Sequence, residues 1–112
     1  MTISAALLDQ RALAGIGNIW RNETLWHERV DPWARVADLD EATVRRLVLR
    51  ARELLLASAG QAPGRARLGV YRRSGRPCPR CATIVRSAPL ETAIPRTTYW
   101  CPRCQPSTAS PP

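Results

Sequence analysis

Hydrophobic and polar positions along the chain alternate at two different periods, and the change of period divides it. From residue 3 to 13 the apolar Ile3, Ala6, Leu7 and Leu13 form a stripe at roughly helical spacing. Ala14-Gly15-Ile16-Gly17-Asn18 interrupts it, with two glycines that allow a tight turn at positive φ. A second helical stretch follows, with Ile19, Trp20, Leu25 and Trp26 apolar and Arg21, Asn22, Glu23 and Glu28 polar between them. Asp31-Pro32 is expected to end it, because the residue before a proline is pushed out of the helical region. The longest helix is expected after Asp38-Leu39-Asp40, either aspartate being able to cap it. Its apolar positions are Val44, Leu47, Val48, Ala51, Leu54 and Leu55, and Gly60 is expected to stop it.

Beyond Gly60 the helical period is lost. Residues 60–75 are rich in glycine and arginine and read as a linker, with Val70-Tyr71 as a short apolar hook. Thr83-Ile84-Val85-Arg86 and Thr97-Thr98-Tyr99-Trp100 read as two strands of a hairpin. Residues 87–95 form its bend, with Pro89 and Pro95 expected to keep the bend out of regular pairing. The tail, residues 106–112, holds only Pro, Ser, Thr and Ala and is expected to be disordered. The expected fold is mainly α with one small β-hairpin: a helical unit over 1–59, a linker over 60–75, a cysteine module over 76–105 and the tail.

All four cysteines lie in two copies of one tetrapeptide, Cys78-Pro79-Arg80-Cys81 and Cys101-Pro102-Arg103-Cys104. Two Cys-x-x-Cys knuckles nineteen residues apart point to a tetrahedral site for one structural Zn²⁺, closed by four thiolates, rather than to a reaction centre. The alternative is two disulfides, which need an oxidising compartment. The first residues lack the charged and apolar regions of a secretory signal, and no apolar run approaches the length of a membrane span. A reducing cytoplasm is the expected location, with no membrane partner.

Charge adds a partner to this picture. The net charge is +8, and every basic residue is arginine. Residues 1–59 hold eight arginines and eight acids, whereas residues 60–112 hold nine arginines and the single acid Glu91. An excess confined to the cysteine module is the footprint of a polyanion, nucleic acid above all. The plainer reading is solubility. Two positions could grip phosphates. Arg96 opens the second strand and can reach well away from the metal on a rigid hairpin; a solvated strand arginine is the alternative. Gly15-Ile16-Gly17-Asn18 opens a helix, where free N–H groups bind anions; a plain interhelical turn is the alternative. Catalytic groups are scarce. His27 has no partner in sequence that would make it a base. Glu23 is expected on the surface. Asp9-Gln10-Arg11 is expected to form a polar cluster that positions the glycine turn.

Leu7-Leu8-Asp9-Gln10-Arg11, Ala14-Gly15-Ile16-Gly17-Asn18-Ile19-Trp20, Glu23, Leu25 and Asp31-Pro32 resemble the helix–two-turn–helix segment of the formamidopyrimidine-DNA glycosylase and endonuclease VIII family. Val70-Tyr71, Gly75, Pro77-Cys78-x-x-Cys81 and Arg96-x-Thr98-Tyr99-Trp100-Cys101-Pro102-x-Cys104-Gln105 resemble its C-terminal zinc finger. The tryptophan- and arginine-rich version leans toward the endonuclease VIII branch. The resemblance implies a partial helix–two-turn–helix domain followed by a four-cysteine zinc finger, and duplex-DNA binding, preferentially to damaged or abasic DNA, within a base-excision glycosylase and abasic-site lyase for oxidised bases. It implies Cys78, Cys81, Cys101 and Cys104 as metal ligands. Gly15, Gly17, Asn18, Arg96 and Gln105 become the DNA-binding set, with Asn18 and Arg96 as two separated phosphate grips and Gln105 as support for the finger.

The departures limit what the resemblance carries. The chain opens Met1-Thr2-Ile3 where the family has proline and glutamate, and the family's catalytic β-rich domain has no counterpart, so no catalytic residue is assigned and the chain is expected to be inactive alone. A missing catalytic domain is then a partner. Arg72 and Ala82 stand where the family usually has glycine. The competing reading is a stand-alone zinc ribbon that binds RNA or a protein.

Overall fold

The computed structural model describes residues 2–9, 17–58, 68–90 and 96–107. Helix α1 spans Ile3–Asp9, α2 Gly17–His27 and α3 Glu41–Ser58, with a 3-10 turn at Val36–Asp38; strands β1, Arg86–Leu90, and β2, Arg96–Trp100, form one antiparallel hairpin. This is the expected mainly α fold with a small hairpin. No helix among the described residues is long and apolar enough to cross a membrane. The expected helix stop at Gly60, most of the linker and the end of the tail lie outside the described residues.

Each helix boundary has a local cause. The first free N–H groups of α1 find acceptors in the 32–34 turn, Ile3 donating to the Ala34 carbonyl at 2.7 Å and Ser4 to that of Pro32 at 3.2 Å, while Thr2 Oγ1 accepts from Ala5. Helix α2 ends before the proline expected to stop it. Arg29 takes φ 59°, Arg29 N–H donates to the Trp26 carbonyl, and Val30 N–H reaches back to Leu25 at 2.9 Å. That is the Schellman pattern, with Leu25 and Val30 packed together in the core and an arginine where glycine is usual. Of the two candidate caps for α3, Asp40 is the one used: its Oδ1 accepts from Thr43 N–H at 2.7 Å, which holds its carboxyl below the ordinary value.

Two apolar clusters meet on α2. Ile3, Leu7, Leu25, Val30, Ala34, Leu47 and Ala51 form the helical core. Trp26, Val70, Val85, Cys78, Cys101 and Cys104 form the second, inside the cysteine module. Consecutive residues Leu25 and Trp26 thus serve different cores, and α2 is covered on both sides. All six residues from Arg21 to Trp26 are buried.

Two expectations are corrected here. Glu23 is not a surface residue: it is 1% exposed, and its carboxylate accepts three successive backbone N–H groups, from Gly69 at 2.6 Å, Val70 at 2.9 Å and Tyr71 at 3.0 Å. The polar pattern misleads because the groups that satisfy this carboxylate come from residues far along the chain. Gly69 is needed for the close approach, since a methyl there would collide with the Trp26 indole. The first strand is also displaced. Residues 83–85 close the first knuckle instead, Cys78 N–H donating to Thr83 and Val85 N–H to Arg76, so pairing begins at Arg86. Pro89 lies inside β1 opposite Thr97 rather than in the bend. A two-stranded sheet leaves every strand an outer edge, where a missing N–H is tolerated.

Replacing Glu23 with Gln should lower unfolding stability by about 3 kcal/mol, because three buried donors lose a charged acceptor. Leu56→Ala, at a position 77% exposed, should change it by less than about 0.5 kcal/mol. Urea unfolding of the full chain compares them; equal costs would remove the clasp from the account.

Candidate metal centre and nucleic-acid interface

The four cysteine sulfurs all lie within 4.8 Å of one another, with individual separations of 3.5 Å (Cys81 to Cys101), 3.7 Å (Cys81 to Cys104) and 3.8 Å (Cys78 to Cys104). A tetrahedron of sulfurs bonded at about 2.3 Å to one ion has edges of about 3.8 Å, whereas a disulfide needs about 2.05 Å. The four therefore form one cluster able to hold a metal ion. The two knuckles are built alike: Ala82 N–H donates to the Cys78 carbonyl at 2.8 Å and Gln105 N–H to the Cys101 carbonyl at 2.9 Å. Gly75 (φ 81°) turns the chain ahead of the first knuckle, and Ala82 leaves it at φ 64°, a conformation that glycine adopts without penalty.

As thiols the four are not equivalent. Hydrogen bonding to Thr83 holds Cys81 down to about 6, while burial pushes Cys101 up to about 12. Bonding to a cation makes all four thiolates.

The cluster is seated on the end of α2. The Arg80 guanidinium lies 3.8 Å from the Trp26 ring and donates to the Trp26 carbonyl at 2.5 Å. The Trp26 indole packs among Cys78, Cys101 and Cys104, with its N–H buried and unpartnered. The second knuckle rests on the turn after α2: Gln105 Nε2 donates to the Val30 carbonyl at 3.0 Å, its Oε1 accepts from Cys101 N–H, and Trp100 meets Trp33 edge-on at 5.6 Å. Gln105 is 1% exposed with both ends of its amide engaged, so it supports the finger from within and offers no surface to a ligand.

The helix turn that carries one expected phosphate grip touches the strand that carries the other. Asn18, in the first turn of α2, donates from Nδ2 to the Thr97 carbonyl at 3.0 Å, and Thr97 is the neighbour of Arg96. The same carbonyl accepts from Arg21 at 3.0 Å and, more loosely, from Asn22 at 3.4 Å. Arg96 is exposed, paired with Leu90 as the last rung before residues 91–95, which lie outside the described residues. Gly17 is exposed at φ 60° with open space where a Cβ would stand, so conformation rather than room calls for glycine. Gly15, Gln10 and Arg11, and the side chain of Asp9, lie outside what is described. His27 is exposed at the end of α2 against Trp26, and burial lowers its pKa, leaving it neutral at pH 7.

Three polar residues that the sequence pattern did not single out carry the junction. Arg21 is wholly buried and donates to Ser4 Oγ, Asn18 Oδ1, Thr98 Oγ1 (3.1 Å) and the Thr97 carbonyl. Asn22 accepts from Tyr99 N–H at 2.7 Å and donates to the Asn18 carbonyl. Glu23 clasps 69–71. The available signal was four polar residues in a row between Ile19-Trp20 and Leu25-Trp26, in a helix that carries apolar groups on more than one side. Burial, and then the nearby Arg96 charge, push Arg21 down to about 10; it stays protonated, and the site is strongly positive.

Backbone strain at the knuckle is measurable. Ala82→Gly should raise stability by about 0.5 kcal/mol, relief of the left-handed conformation outweighing the entropy of glycine, whereas Gly75→Ala should lower it by about 1 kcal/mol. Thermal unfolding of the two variants checks the opposite signs.

Comparison with known proteins agrees with this architecture. Residues 1–64 match the formamidopyrimidine-DNA glycosylase H2TH domain. Endonuclease 8 2 of Mycobacterium bovis is 42% identical over 111 residues, covering 92% of this chain and 42% of that protein. Probable endonuclease 8 2 of Streptomyces coelicolor is also 42% identical, covering 92% and 40%. The structure of MutM (Fpg) from Thermus thermophilus superposes with a TM-score of 0.80 at 34% identity, over 93% of this chain and 44% of that one. Lactococcus lactis Fpg, in complex with abasic-site DNA, gives 0.78 at 28% identity, over 95% and 43%. The chain spans about two fifths of the length of these relatives. It belongs to the formamidopyrimidine-DNA glycosylase and endonuclease VIII family.

Proposed function

We propose that this chain is the duplex-gripping part of a base-excision DNA glycosylase and abasic-site lyase for oxidised bases, with damaged or abasic double-stranded DNA as its ligand. One observation carries the reading: the amide of Asn18 and the strand that begins with Arg96 meet at the Thr97 carbonyl, on a protein whose excess charge is all arginine. Asn18 supplies a neutral donor and Arg96 a charged fork. Together they suit a single backbone phosphate or two adjacent ones. The complex of Lactococcus lactis Fpg with abasic-site DNA supports this choice of ligand. The role assigned to this chain is binding, and base excision is assigned to the part of the relatives that it does not span.

We assign Cys78, Cys81, Cys101 and Cys104 to one Zn²⁺. Four thiolates in a tetrahedron fit that ion and leave no open position, so the metal supplies structure and no chemistry. Trp26 packs among the cysteines and Arg80 closes over its ring, so the cluster is shielded on that side.

Binding of the full chain to a labelled duplex with a tetrahydrofuran abasic analogue, titrated with salt, tests the reading. Arg96→Ala should weaken binding and reduce the slope of log K against log salt by about one. An unchanged affinity and slope would remove Arg96 from the site, and equal or stronger binding to structured RNA would overturn the duplex assignment. Chelation should abolish binding, with recovery on adding Zn²⁺ but not Mg²⁺; a chelated chain that binds duplex as before would contradict the structural role of the metal.

A further inference from the structure

Asn18 poses a problem that its position alone does not solve. A carboxamide carries a donor end and an acceptor end of nearly the same shape, and only the donor end can serve an anion. Turned the wrong way, Asn18 would present Oδ1 to a phosphate and repel it. Arg21 decides the matter. A guanidinium has donors only, and Arg21 donates to Asn18 Oδ1, so the oxygen is held inward. The Thr97 carbonyl, an acceptor only, takes one Nδ2 proton at 3.0 Å and gives the same answer independently. The second Nδ2 proton is then left for a ligand on the half-exposed side of the residue.

The same guanidinium reaches α1 at Ser4 and β2 at Thr98 Oγ1 and the Thr97 carbonyl. It therefore ties the residue after Arg96 to the turn that holds Asn18. Four acceptors on three elements demand a flat fork with divergent N–H groups; a lysine ammonium on a flexible stem cannot span them. The Nε of Arg21 is buried without a partner, so the side chain is held by its terminal nitrogens, which are the ones facing Asn18 and β2.

We propose that Arg21 is a positioning residue for the anion site: it fixes the Asn18 carboxamide donor-outward and sets β2, and with it Arg96, in register with Asn18. The consequence for binding rests on the proposed function above; the fixed amide does not. Arg21 itself touches no phosphate, so its loss should lower affinity without the change in salt slope that Arg96→Ala produces.

Two measurements on the full chain separate these claims. Nitrogen-15 NMR of the wild-type protein reads the Asn18 side-chain amide directly, with no DNA present and no variant that must fold. The expected result is that, of the two side-chain amide protons, the one bonded to Thr97 is protected from solvent exchange. Both protons exchanging like those of an exposed asparagine would overturn the proposal. The second is a double-mutant cycle of Arg21→Lys with Asn18→Ala on affinity for the abasic duplex. Arg21→Lys should weaken binding about tenfold in the wild-type background and cost little in the Asn18→Ala background, at unchanged salt slope. Equal costs in both backgrounds would overturn the proposed action through Asn18. If neither Asn18→Ala nor Arg96→Ala alters binding, the phosphate reading fails, and the amide resonances still decide what Arg21 does.

Discussion

Helix α2 is buried on two sides, and the structure follows from how that is made tolerable. A buried helix normally presents apolar residues all round. This one places Arg21, Asn22, Glu23 and Thr24 inside and satisfies the first three with groups of the finger and the chain that leads into it. Glu23 takes the N–H groups of 69–71, Asn22 takes Tyr99 N–H, and Arg21 and Asn22 give to Thr97. The side chains of the helix thus act toward the finger as a neighbouring strand would, donating and accepting in turn. Leaving such groups unpaired would cost several kilocalories per mole between them, so the finger is as necessary to the helix as the helix is to the finger.

That mutual requirement gives the four-cysteine cluster a second role. Trp26 leaves the helical core at the point where its neighbour Leu25 enters it, and it packs among the cysteines. Arg80 closes over the indole from the first knuckle, and Gln105 ties the second knuckle to Val30. A cluster that orders the knuckles therefore also orders the surface on which α2 rests. The proposed anion site sits at the opposite end of the same helix, where Asn18 meets Thr97. One rigid element of eleven residues spans both.

Much of this was legible in the chain. The doubled Cys-Pro-Arg-Cys announces a four-sulfur cluster, because short-range spacing decides it. The three helices follow from apolar period, and the hairpin from two short runs rich in β-branched residues. What was hidden depends on partners distant in sequence. Glu23 looks like a surface residue until 69–71 are brought to it. Pro89 looks like a strand breaker until residues 83–85 are seen to be occupied with the first knuckle. The α2 terminus looks like the work of Pro32, yet Arg29 in a left-handed conformation ends it earlier, an arrangement for which glycine is the ordinary sign. Asn18 and Thr97 look unrelated because a linear reading cannot show that the first turn of α2 bonds to the strand that Arg96 opens.

The central claim is that α2 and the finger form one cooperative unit through buried polar contacts. Native-state hydrogen exchange measures this most directly, by comparing the Val70 and Tyr99 amides, which donate to Glu23 and Asn22, with the helical amides around Leu25. The account predicts the same opening free energy for all of them, and simultaneous loss of protection when a metal chelator is added. Exchange at Val70 and Tyr99 faster by orders of magnitude, with the amides near Leu25 still protected, would show two independent modules and contradict it.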